Sequence, residues 1–476
     1  MYSNYFVRIT IGIIVYIGTD AKIMDLVNKE DNDTSVLNCI KAKDIPNVMS
    51  IMYNKEKIRI NMKVLWFVQE NFDPSREKGG YNGAGWISSL RNEIINKEGI
   101  DLALAFFSNE SKQGTANGVR FYSMPTPILS SFKKIRFRLK KQYSKEEEAL
   151  WPNYRAEMLK VLDDFKPDII QIFGSENKYG LVASVTKIPI VLHIQGIVRP
   201  YLNAYLPPFV SKLDYYLKDG LNPIKFLKNV FQLYNWKMLD HCEGEILRNI
   251  QYYFGRTTWD YRIVKLFNSN ATYFHCDEIL RHSFYDDDMK RQIPSKLKIV
   301  STISVPLYKG YDLILKAANQ LCSLKIDFEW IVFGNVSPSF IEEKLGIRHE
   351  NVHVKLFGVA SEKQIKEELL SSTVYVHPSY IDNSPNSVCE AQMCGVPVIA
   401  TNVGGVCSIV EDGVTGYLVP ANDPYQIAYL ANNIFKNLAE VEMIREKARQ
   451  NAQQRHNKVK IANQLLTAYN HILTLK

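Results

Sequence analysis

The chain lacks an apolar run long enough to cross a membrane as a helix, which takes roughly 20 residues. The most apolar stretch near its start, Ile9–Ile17, is far shorter. No small-residue cleavage site follows this stretch, so it is not typical of a secretory signal peptide. It is equally compatible with a buried strand or a buried helix of an appended segment.

Paired cysteines are also missing. The seven cysteines are odd in number, are scattered along the chain and never occur as C-x-x-C. A disulfide framework or a zinc site would need paired or closely spaced cysteines. The pattern therefore predicts reduced thiols in a cytoplasmic protein. The cysteines are Cys39, Cys242, Cys276, Cys322, Cys389, Cys394 and Cys407.

A large excess of either charge is absent as well. The formal net charge of +8 makes the protein only mildly basic, and a basic surface can attract nucleic acid or an anionic membrane. Lys133–Lys141 carries six basic residues interleaved with apolar ones, and 201–237 is rich in aromatic residues and lysine. Within it, Asn222 and Pro223 predict the start of a helix with one apolar face.

Such basic and aromatic segments can rest on an anionic membrane, which here would be the inner face of the plasma membrane. No nucleic acid partner is expected. The alternative is that the helix packs against its own domain and that water solvates the basic run. Both interpretations remain open at this point.

Short apolar strands alternate with helical segments along most of the chain, which predicts a parallel α/β architecture. The strands fall into two runs with a break near 286–288. Two doubly wound domains that face a cleft follow from this pattern, with the site at the carboxyl ends of the strands. The predicted strands are Val64–Val68, Leu102–Phe107, Ile169–Ile172, Ile190–Ile194, Lys298–Ser301, Phe328–Phe333, Val352–Leu356, Val374–His377 and Val398–Ala400.

The segment 376–405 carries most of the chemistry. It contains two carboxylates, Asp382 and Glu390, with seven residues between them. Asp382 lies in a polar loop after a strand, whereas Glu390 lies on the helix that follows. One ligand with an anionic part and several hydroxyls could contact both carboxylates, and a sugar nucleotide has this outline.

The helix that carries Glu390 has clear start and stop signals. Ser384 is predicted as its N-cap and Pro385 as its first residue. It is predicted to run to about Cys394 and to end at Gly395. Its first backbone N–H groups would be available to a phosphate.

This segment resembles the E-x7-E signature of the retaining glycosyltransferases of family 4, also called group 1. The similarity continues upstream through 357–379 and downstream through 411–428, which reads EDGVTGYLVPANDPYQIA. It extends over about 60–476 and is strongest in the second half. The resemblance implies the GT-B architecture: α/β, two Rossmann-like domains facing a cleft, and a C-terminal helix that crosses back to the first domain.

The expected domains follow from this architecture. Residues 1–61 are an extension, either an accessory segment or the product of a wrongly assigned start. Residues 62–285 form the acceptor-side domain, 286–460 form the nucleotide-sugar domain, and 461–476 form the returning helix, with Ile461–Leu475 helical in pattern.

The resemblance also implies roles for individual residues of the second domain. Lys309 would hold the donor diphosphate, and Lys309, Asp382 and Glu390 are the predicted catalytic residues. The donor-binding residues would be Ser304, Ser384, Pro385, Asn386, Ser387, Gly404 and Gly405. Two positions depart from the family pattern, since Asp382 replaces the usual glutamate and Ser304 replaces the usual arginine. Hydroxyls, the helix terminus or an arginine from elsewhere must then compensate for the missing arginine.

In the first domain, a glycine-rich loop and a strand end are candidates for the acceptor or phosphate loop. Gly83 and Gly85 follow the first strand and let the backbone approach a ligand closely. The alternative is a plain flexible loop. His193 and Gln195 are predicted to point the same way, and Gln195 is the better match to the position near the reacting hydroxyl. A buried core histidine is at least as good an interpretation of His193.

No cofactor and no metal are expected. Asp286 and Asp288 have D-x-D spacing but lie in a charged linker with no strand before them, which favours a solvated run.

The predicted function is retaining transfer from a nucleotide-diphosphate sugar to a glycan or lipid-linked glycan, in capsule, exopolysaccharide or lipopolysaccharide synthesis. The alternatives are a nucleotide-sugar isomerase of the same architecture and a catalytically weak sugar-nucleotide-binding protein. A hydrolase fits less well, because its two carboxylates must flank the scissile bond.

Overall fold

The computed structural model describes residues 62–70, 73–74, 85–95, 97–286 and 289–475. All of them belong to one compact unit. The predicted extension 1–61, Gly83 and Asp288 lie outside the described residues.

The first sheet has strand order β3-β4-β2-β1-β5-β6-β7-β8. All its pairs are parallel except β3 with β4. Its central strands are mostly apolar and, except for the half-buried Lys63, buried, as expected for a parallel sheet covered on both faces. The strands are β1 (Met62–Phe67), β2 (Ile100–Ser108), β3 (Lys112–Ala116), β4 (Val119–Pro125), β5 (Ile169–Phe173), β6 (Ile190–His193), β7 (Tyr252–Gly255) and β8 (Thr272–His275).

The second sheet is entirely parallel, with strand order β11-β10-β9-β12-β13-β14. Successive strands are added outward on one side from β9 and on the other side from β12. Between two such strands a doubly wound sheet opens a crevice at its carboxyl edge. The strands are β9 (Leu297–Thr302), β10 (Phe328–Phe333), β11 (Val354–Gly358), β12 (Val374–His377), β13 (Val398–Thr401) and β14 (Tyr417–Val419).

Helices connect these strands and cover both sheets. None of the described helices is long and apolar enough to pass through a bilayer. The α-helices are α1 (Gly85–Ile95), α2 (Ser131–Leu139), α3 (Tyr143–Glu148), α4 (Trp151–Phe165), α5 (Val198–Asn203), α6 (Lys212–Tyr216), α7 (Pro223–Asn249), α8 (Thr258–Phe267), α9 (Tyr311–Ser323), α10 (Ser339–Leu345), α11 (Glu362–Leu370), α12 (Asn386–Met393), α13 (Pro424–Lys436), α14 (Leu438–Arg455) and α15 (Lys458–Thr474).

Each predicted strand is present with its ends shifted by a few residues, and the two-sheet architecture is confirmed. The prediction missed β3, β4, β7, β8 and β14. The edge strand β3 is half polar and alternates between exposed and half-buried residues, and β14 has only three residues. Such strands lack the continuous apolar run by which buried strands are recognised.

The C-terminal helix α15 returns to the first domain. Ile461, Leu465 and Tyr469 share a hydrophobic core with strand β1 and helix α1. Trp66 Nε1 donates a hydrogen bond to the hydroxyl of Tyr469 at 3.0 Å. The predicted crossing helix is therefore confirmed.

One segment between β6 and β7 packs on the other domain. Tyr205, Val210 and Tyr215 share a hydrophobic core with Leu307 and Tyr311 of the second domain. The segment joins two strands of the first sheet, yet its aromatic side chains are buried against helix α9. It therefore ties the two domains together along one side of the cleft.

Candidate functional site

A cavity of about 450 Å³ lies between the two sheets and is lined by both domains. Most of the predicted site residues that the structure describes line it: Gly85, Gln195, Ser304, Lys309, Asp382, Ser384, Pro385, Asn386, Ser387 and Glu390. His193, Gly404 and Gly405 do not. The carboxyl ends of both sheets thus bring residues more than 200 positions apart into one site.

Asp382 is held by two basic side chains. Its Oδ2 lies 2.5 Å from Lys309 Nζ and 2.9 Å from His377 Nε2, and the hydroxyl of Tyr201 donates to its Oδ1 at 3.2 Å. Burial alone would raise the pKa of Asp382, but Lys309 and His377 outweigh burial and hold this pKa well below its usual range. The Asp382 carboxylate is therefore an anion, and it contacts Lys309 although its side chain is shorter than that of the usual glutamate.

Lys309 is a cation in this setting as well. Burial lowers its pKa, but the Asp382 carboxylate more than compensates, so the pKa of Lys309 is raised. Its position is set by the loop after β9, where Gly310 adopts a φ of +75°. A Cβ on Gly310 would lie 1.9 Å from the carbonyl oxygen of Pro378, so only glycine fits beside Lys309.

Glu390 is bound by an arginine that the sequence did not single out. Arg281 Nε and Nη2 donate to the two carboxylate oxygens of Glu390, each at 2.7 Å. Burial raises the pKa of Glu390, and Arg281 opposes this effect only in part. Arg281 lies in the linker between the domains and belongs to no sequence motif. Only the fold places it in the cavity.

A second arginine, Arg256, lies at the end of β7 and also lines the cavity. It is 3% exposed, its Nη1 lies 3.3 Å from Glu278 Oε2, and its guanidinium stacks over Trp86 at 5.2 Å. Arg256 and Arg281 are thus two arginines that line the cavity from positions other than 304, and their compensation for the missing arginine stays a prediction. Recognition of β7 as a strand would have pointed to Arg256.

The start of α12 differs from its prediction. The helix begins at Asn386 with Pro385 as N-cap, and Ser384 does not cap it. The Ser384 hydroxyl instead donates to Glu278 Oε1 at 2.6 Å, a buried acceptor that local sequence does not reveal. Asn386 and Ser387 still open the helix toward the cavity, and the helix ends before Gly395 at φ +65°, as predicted.

Gly404 and Gly405 lie behind the Asp382 loop and do not line the cavity. The amide of Gly405 donates to the carbonyl oxygen of Asp382 at 2.9 Å. A Cβ on Gly404 would lie 1.9 Å from the same oxygen. The structure corrects the prediction of direct donor contact: these glycines support the loop because no side chain fits there.

His193 and Gln195 differ in their access to the cavity. Gln195 lines the cavity, whereas His193 is fully buried. The His193 ring packs against Trp86, with ring centroids 5.1 Å apart, and its Nδ1 lies 3.3 Å from Gln171 Nε2. Burial lowers the pKa of His193 to about 3. His193 is therefore a core histidine.

This burial makes a prediction about acid stability. Between pH of about 6.5 and about 3 the unfolded chain binds a proton at His193 and the folded chain does not, so stability falls as pH is lowered through this range. We expect His193→Phe to reduce the loss of thermal stability between pH 7 and pH 5. His282→Phe, at an exposed position, is the matched control and should leave this loss unchanged. An equal loss of thermal stability between pH 7 and pH 5 in wild type and His193→Phe would contradict the assignment of His193 as a buried, uncharged histidine.

The described residues place no D-x-D metal site in the cavity. Asp286 is a surface residue that pairs with Lys366. A buried group of Glu278, Cys389 and His456 has spacing that could hold an ion. Arg256 already lies against Glu278, and a neighbouring cation disfavours a second one there.

The glycine-rich loop is described only from Gly85 onward. Gly85 begins α1 and lines the cavity. A Cβ on Gly85 would lie 2.6 Å from Arg281 Cγ, so this glycine leaves room for the arginine that binds Glu390.

Comparison with known proteins agrees with this geometry. Residues 286–455 match the family model of the glycosyl transferases group 1. The chain is 28% identical over 159 residues to the phosphatidylinositol N-acetylglucosaminyltransferase GPI3 subunit of Saccharomyces cerevisiae, which is 32% of this chain and 35% of that protein. It is 28% identical over 153 residues to the D-inositol 3-phosphate glycosyltransferase of Paenarthrobacter aurescens, which is 30% of this chain and 37% of that protein. The chain thus spans about a third of the length of these curated relatives.

Solved structures show the same fold at low sequence identity. Sucrose-phosphate synthase from Thermosynechococcus elongatus superposes with a TM-score of 0.62 at 14% identity, covering 87% of this chain and 100% of that one. HepE of Anabaena, in complex with UDP and glucose, gives a TM-score of 0.55 at 14% identity over 86% of this chain and 100% of that one. Residues 286–455 of this chain are therefore similar to the group 1 glycosyl transferases, and the two-domain architecture around them is the GT-B fold.

Proposed function

We propose that this chain is a retaining glycosyltransferase that moves a sugar from a nucleotide-diphosphate donor to a hydroxyl of a glycan or lipid-linked glycan. The observation that carries the proposal is the arrangement of Lys309, the start of α12 and the Asp382 and Glu390 carboxylates around one interdomain cavity. The names of the curated relatives support glycosyl transfer. The presence of UDP and glucose in a structure of the same fold supports the donor class.

The donor would be bound by the second domain. Lys309 and the first amides of α12, at Asn386 and Ser387, would contact the diphosphate, since a helix N-terminus and a fixed cation both stabilise negative charge. Glu390 would accept hydrogen bonds from the ribose, and Asp382 would contact the transferred sugar. The buried Oδ1 of Asn386 has no hydrogen-bond partner in the described part of the chain and is a further acceptor at this end of the cavity.

In the chemical step the bond between the sugar and the leaving phosphate oxygen breaks, and the acceptor oxygen bonds to the sugar on the same face. The acceptor proton passes to the leaving phosphate oxygen. Negative charge on the diphosphate grows as the bond breaks, so Lys309 stabilises the transition state more than the ground state. We propose that Lys309, Arg281 and Arg256 together make a metal ion unnecessary.

A panel of labelled nucleotide sugars, incubated with and without a cell-extract acceptor fraction and with and without EDTA, tests the proposal. Transfer that persists in EDTA is the expected result. Free sugar without acceptor dependence would indicate a hydrolase, and an altered nucleotide sugar would indicate an isomerase. Binding without turnover would indicate a sugar-nucleotide-binding protein. Loss of transfer in EDTA that Mg²⁺ or Mn²⁺ restores would overturn the metal-free proposal.

We further propose that the enzyme works at the cytoplasmic face of the plasma membrane in capsule, exopolysaccharide or lipopolysaccharide synthesis. The described cysteines are free, which suits a reducing compartment. No residue of α2 is buried, and Phe132, Ile135 and Leu139 on one face of it are 77%, 57% and 81% exposed. Basic residues surround this face.

The start of helix α7 extends the exposed surface. Ile224 and Leu227 are 78% and 51% exposed, whereas Phe231 is half-buried under the guanidinium of Arg138, which lies 4.6 Å from its ring. The second half of α7 packs against its own domain through Ile246 and Leu247. The exposed start of the helix supports the membrane proposal, and its second half matches the alternative that the helix packs against its own domain.

A double variant, Phe132→Ser with Leu139→Ser, is expected to lower binding to phosphatidylglycerol-containing vesicles about tenfold, because two exposed apolar side chains no longer enter the interface. Vesicle co-sedimentation measures the change. Leu266→Ser, which alters an equally exposed leucine (81%) on α8, should have no effect. Equal binding of wild type to neutral and anionic vesicles would contradict the proposal.

A further inference from the structure

Among the ionisable side chains that line the cavity, one carboxylate stands apart from the ion pairs. Glu176 lines the cavity, but it forms no ion pair with any described residue. The cations of the cavity are already paired: Arg256–Glu278 at 3.3 Å, Arg281–Glu390 at 2.7 Å and Lys309–Asp382 at 2.5 Å. Because these cations already have carboxylate partners, the Glu176 carboxylate is available to a ligand.

The position of Glu176 is set by its own turn. It follows β5, and Gly174 between them adopts a φ of +86°. A Cβ on Gly174 would lie 2.3 Å from Glu176 Oε2, so the carboxylate folds back over the glycine. Gln69 Nε2 donates to Oε1 at 3.3 Å. The Oε2 atom is buried and has no hydrogen-bond partner among the described residues, and a buried acceptor of this kind is destabilising unless a ligand or water satisfies it.

The wall that carries Glu176 faces the donor-binding residues. Glu176, Gln195, Tyr201 and Trp236 come from the first domain and line the cavity opposite the loops of the second domain. The donor groups proposed above all belong to the second domain. We therefore assign a ligand that contacts Glu176 to the second substrate, although Tyr201 of the same wall also contacts Asp382.

The chemistry of the wall favours a neutral hydroxyl over a cation. Arg256 is close enough to Glu176 to lower its pKa electrostatically, although burial dominates and raises this pKa to about 7. The same guanidinium would repel an ammonium group of a ligand. A sugar hydroxyl carries no charge and can donate to Oε2. The aromatic ring of Trp236 on the same wall suits the apolar face of a sugar ring.

We propose that Glu176 binds a hydroxyl of the acceptor sugar and so selects which hydroxyl of that sugar faces the donor. The proposal rests on the proposed function, since it takes the second substrate to be an acceptor. Glu176 acts here by hydrogen bonding and transfers no proton. It adds a specificity-determining residue on the first domain to a site whose predicted carboxylates both lie on the second.

The test compares full-length wild type with Glu176→Gln, using methyl glycosides of common hexoses as acceptor probes and the donor found active in the nucleotide-sugar panel. For the best glycoside, assayed at about pH 8.5 where Glu176 with its pKa of about 7 is ionised, Glu176→Gln is expected to raise the KM about tenfold or more, as for a lost hydrogen bond to a charged group. The kcat and the Kd of the donor should change less than about threefold. Glu147→Gln removes another buried carboxylate, one that pairs with Lys178 away from the cavity. It controls for a general loss of stability and should leave the acceptor KM unchanged.

A second measurement keeps the proposal testable if Glu176→Gln folds poorly. Deoxy analogues of the best glycoside should identify one hydroxyl whose removal weakens wild type, and Glu176→Asp should restore that preference in part. Three results would each overturn the proposal. In Glu176→Gln the donor Kd rises as much as the acceptor KM, or the acceptor KM is unchanged, or wild type binds no glycoside. Absence of donor binding in wild type would instead overturn the proposed function, so the two failures are distinguishable.

Discussion

Replacement of Lys309 by alanine is expected to lower turnover about 10²–10³-fold, the loss seen when one preorganised group is removed from a developing negative charge. Lys309 lines the cavity at the end of the β9 loop and is held there by Asp382. The charge it meets is largest in the transition state, so the donor Kd should rise much less than kcat falls. Steady-state kinetics with donor binding measured by calorimetry separates the two effects.

The ion pair complicates this variant, because alanine leaves the Asp382 carboxylate buried with His377 as its remaining basic neighbour. Removal of one partner from a buried pair destabilises a protein by about 3–5 kcal/mol. The double variant Lys309→Ala with Asp382→Asn removes the uncompensated charge and should recover the melting temperature but not turnover. Full turnover of folded Lys309→Ala would show that the lysine is structural and that the proposed donor site is wrong.

Glu390→Gln is expected to raise the donor Kd about 10- to 150-fold, which corresponds to about 1.5–3 kcal/mol for hydrogen bonds to a charged group. The neutral amide still reaches the proposed ribose site, but its hydrogen bonds are no longer charge-assisted. The kcat at saturating donor should change far less than the donor Kd. Titration with the nucleoside diphosphate product measures this affinity without turnover.

Arg281 provides the control, because it occupies both oxygens of Glu390 in the structure. If Glu390 binds the ribose directly, Glu390→Gln should still weaken binding in an Arg281→Met background. If Glu390 acts only by holding Arg281, the double variant should bind no more weakly than Arg281→Met alone. Arg445→Ala, which breaks a surface arginine pair with Glu442, controls for the loss of an arginine elsewhere.

Much of the architecture was predictable because it depends on local patterns. Buried parallel strands are continuous apolar runs, so β9, β10 and β12 were found to within a residue or two. The end of α12 was found because Gly395 adopts a left-handed conformation that favours glycine. The pattern of Ile461–Leu475 likewise indicated a helix, and the family resemblance implied its return to the first domain.

The start of α12 shows where local reasoning fails. Serine before proline is a good N-cap signal, yet the Ser384 hydroxyl bonds to Glu278, more than 100 residues away in sequence. The hydroxyl is oriented by a charged acceptor that its neighbours in sequence do not reveal. The helix starts one residue later than predicted.

The two sheets and the pair of carboxylates in segment 376–405 were predictable because periodicity and spacing are properties of neighbouring residues, and the family resemblance implied the returning helix. Three features emerged only in the folded protein: Arg256 and Arg281 enter the cavity, His193 is part of the core, and Glu176 has no counter-ion among the described residues. These outcomes depend on which side chains from distant strands meet at one sheet edge. Burial and the distances between side chains determine how the charges pair there, and the order of residues along the chain reveals neither quantity.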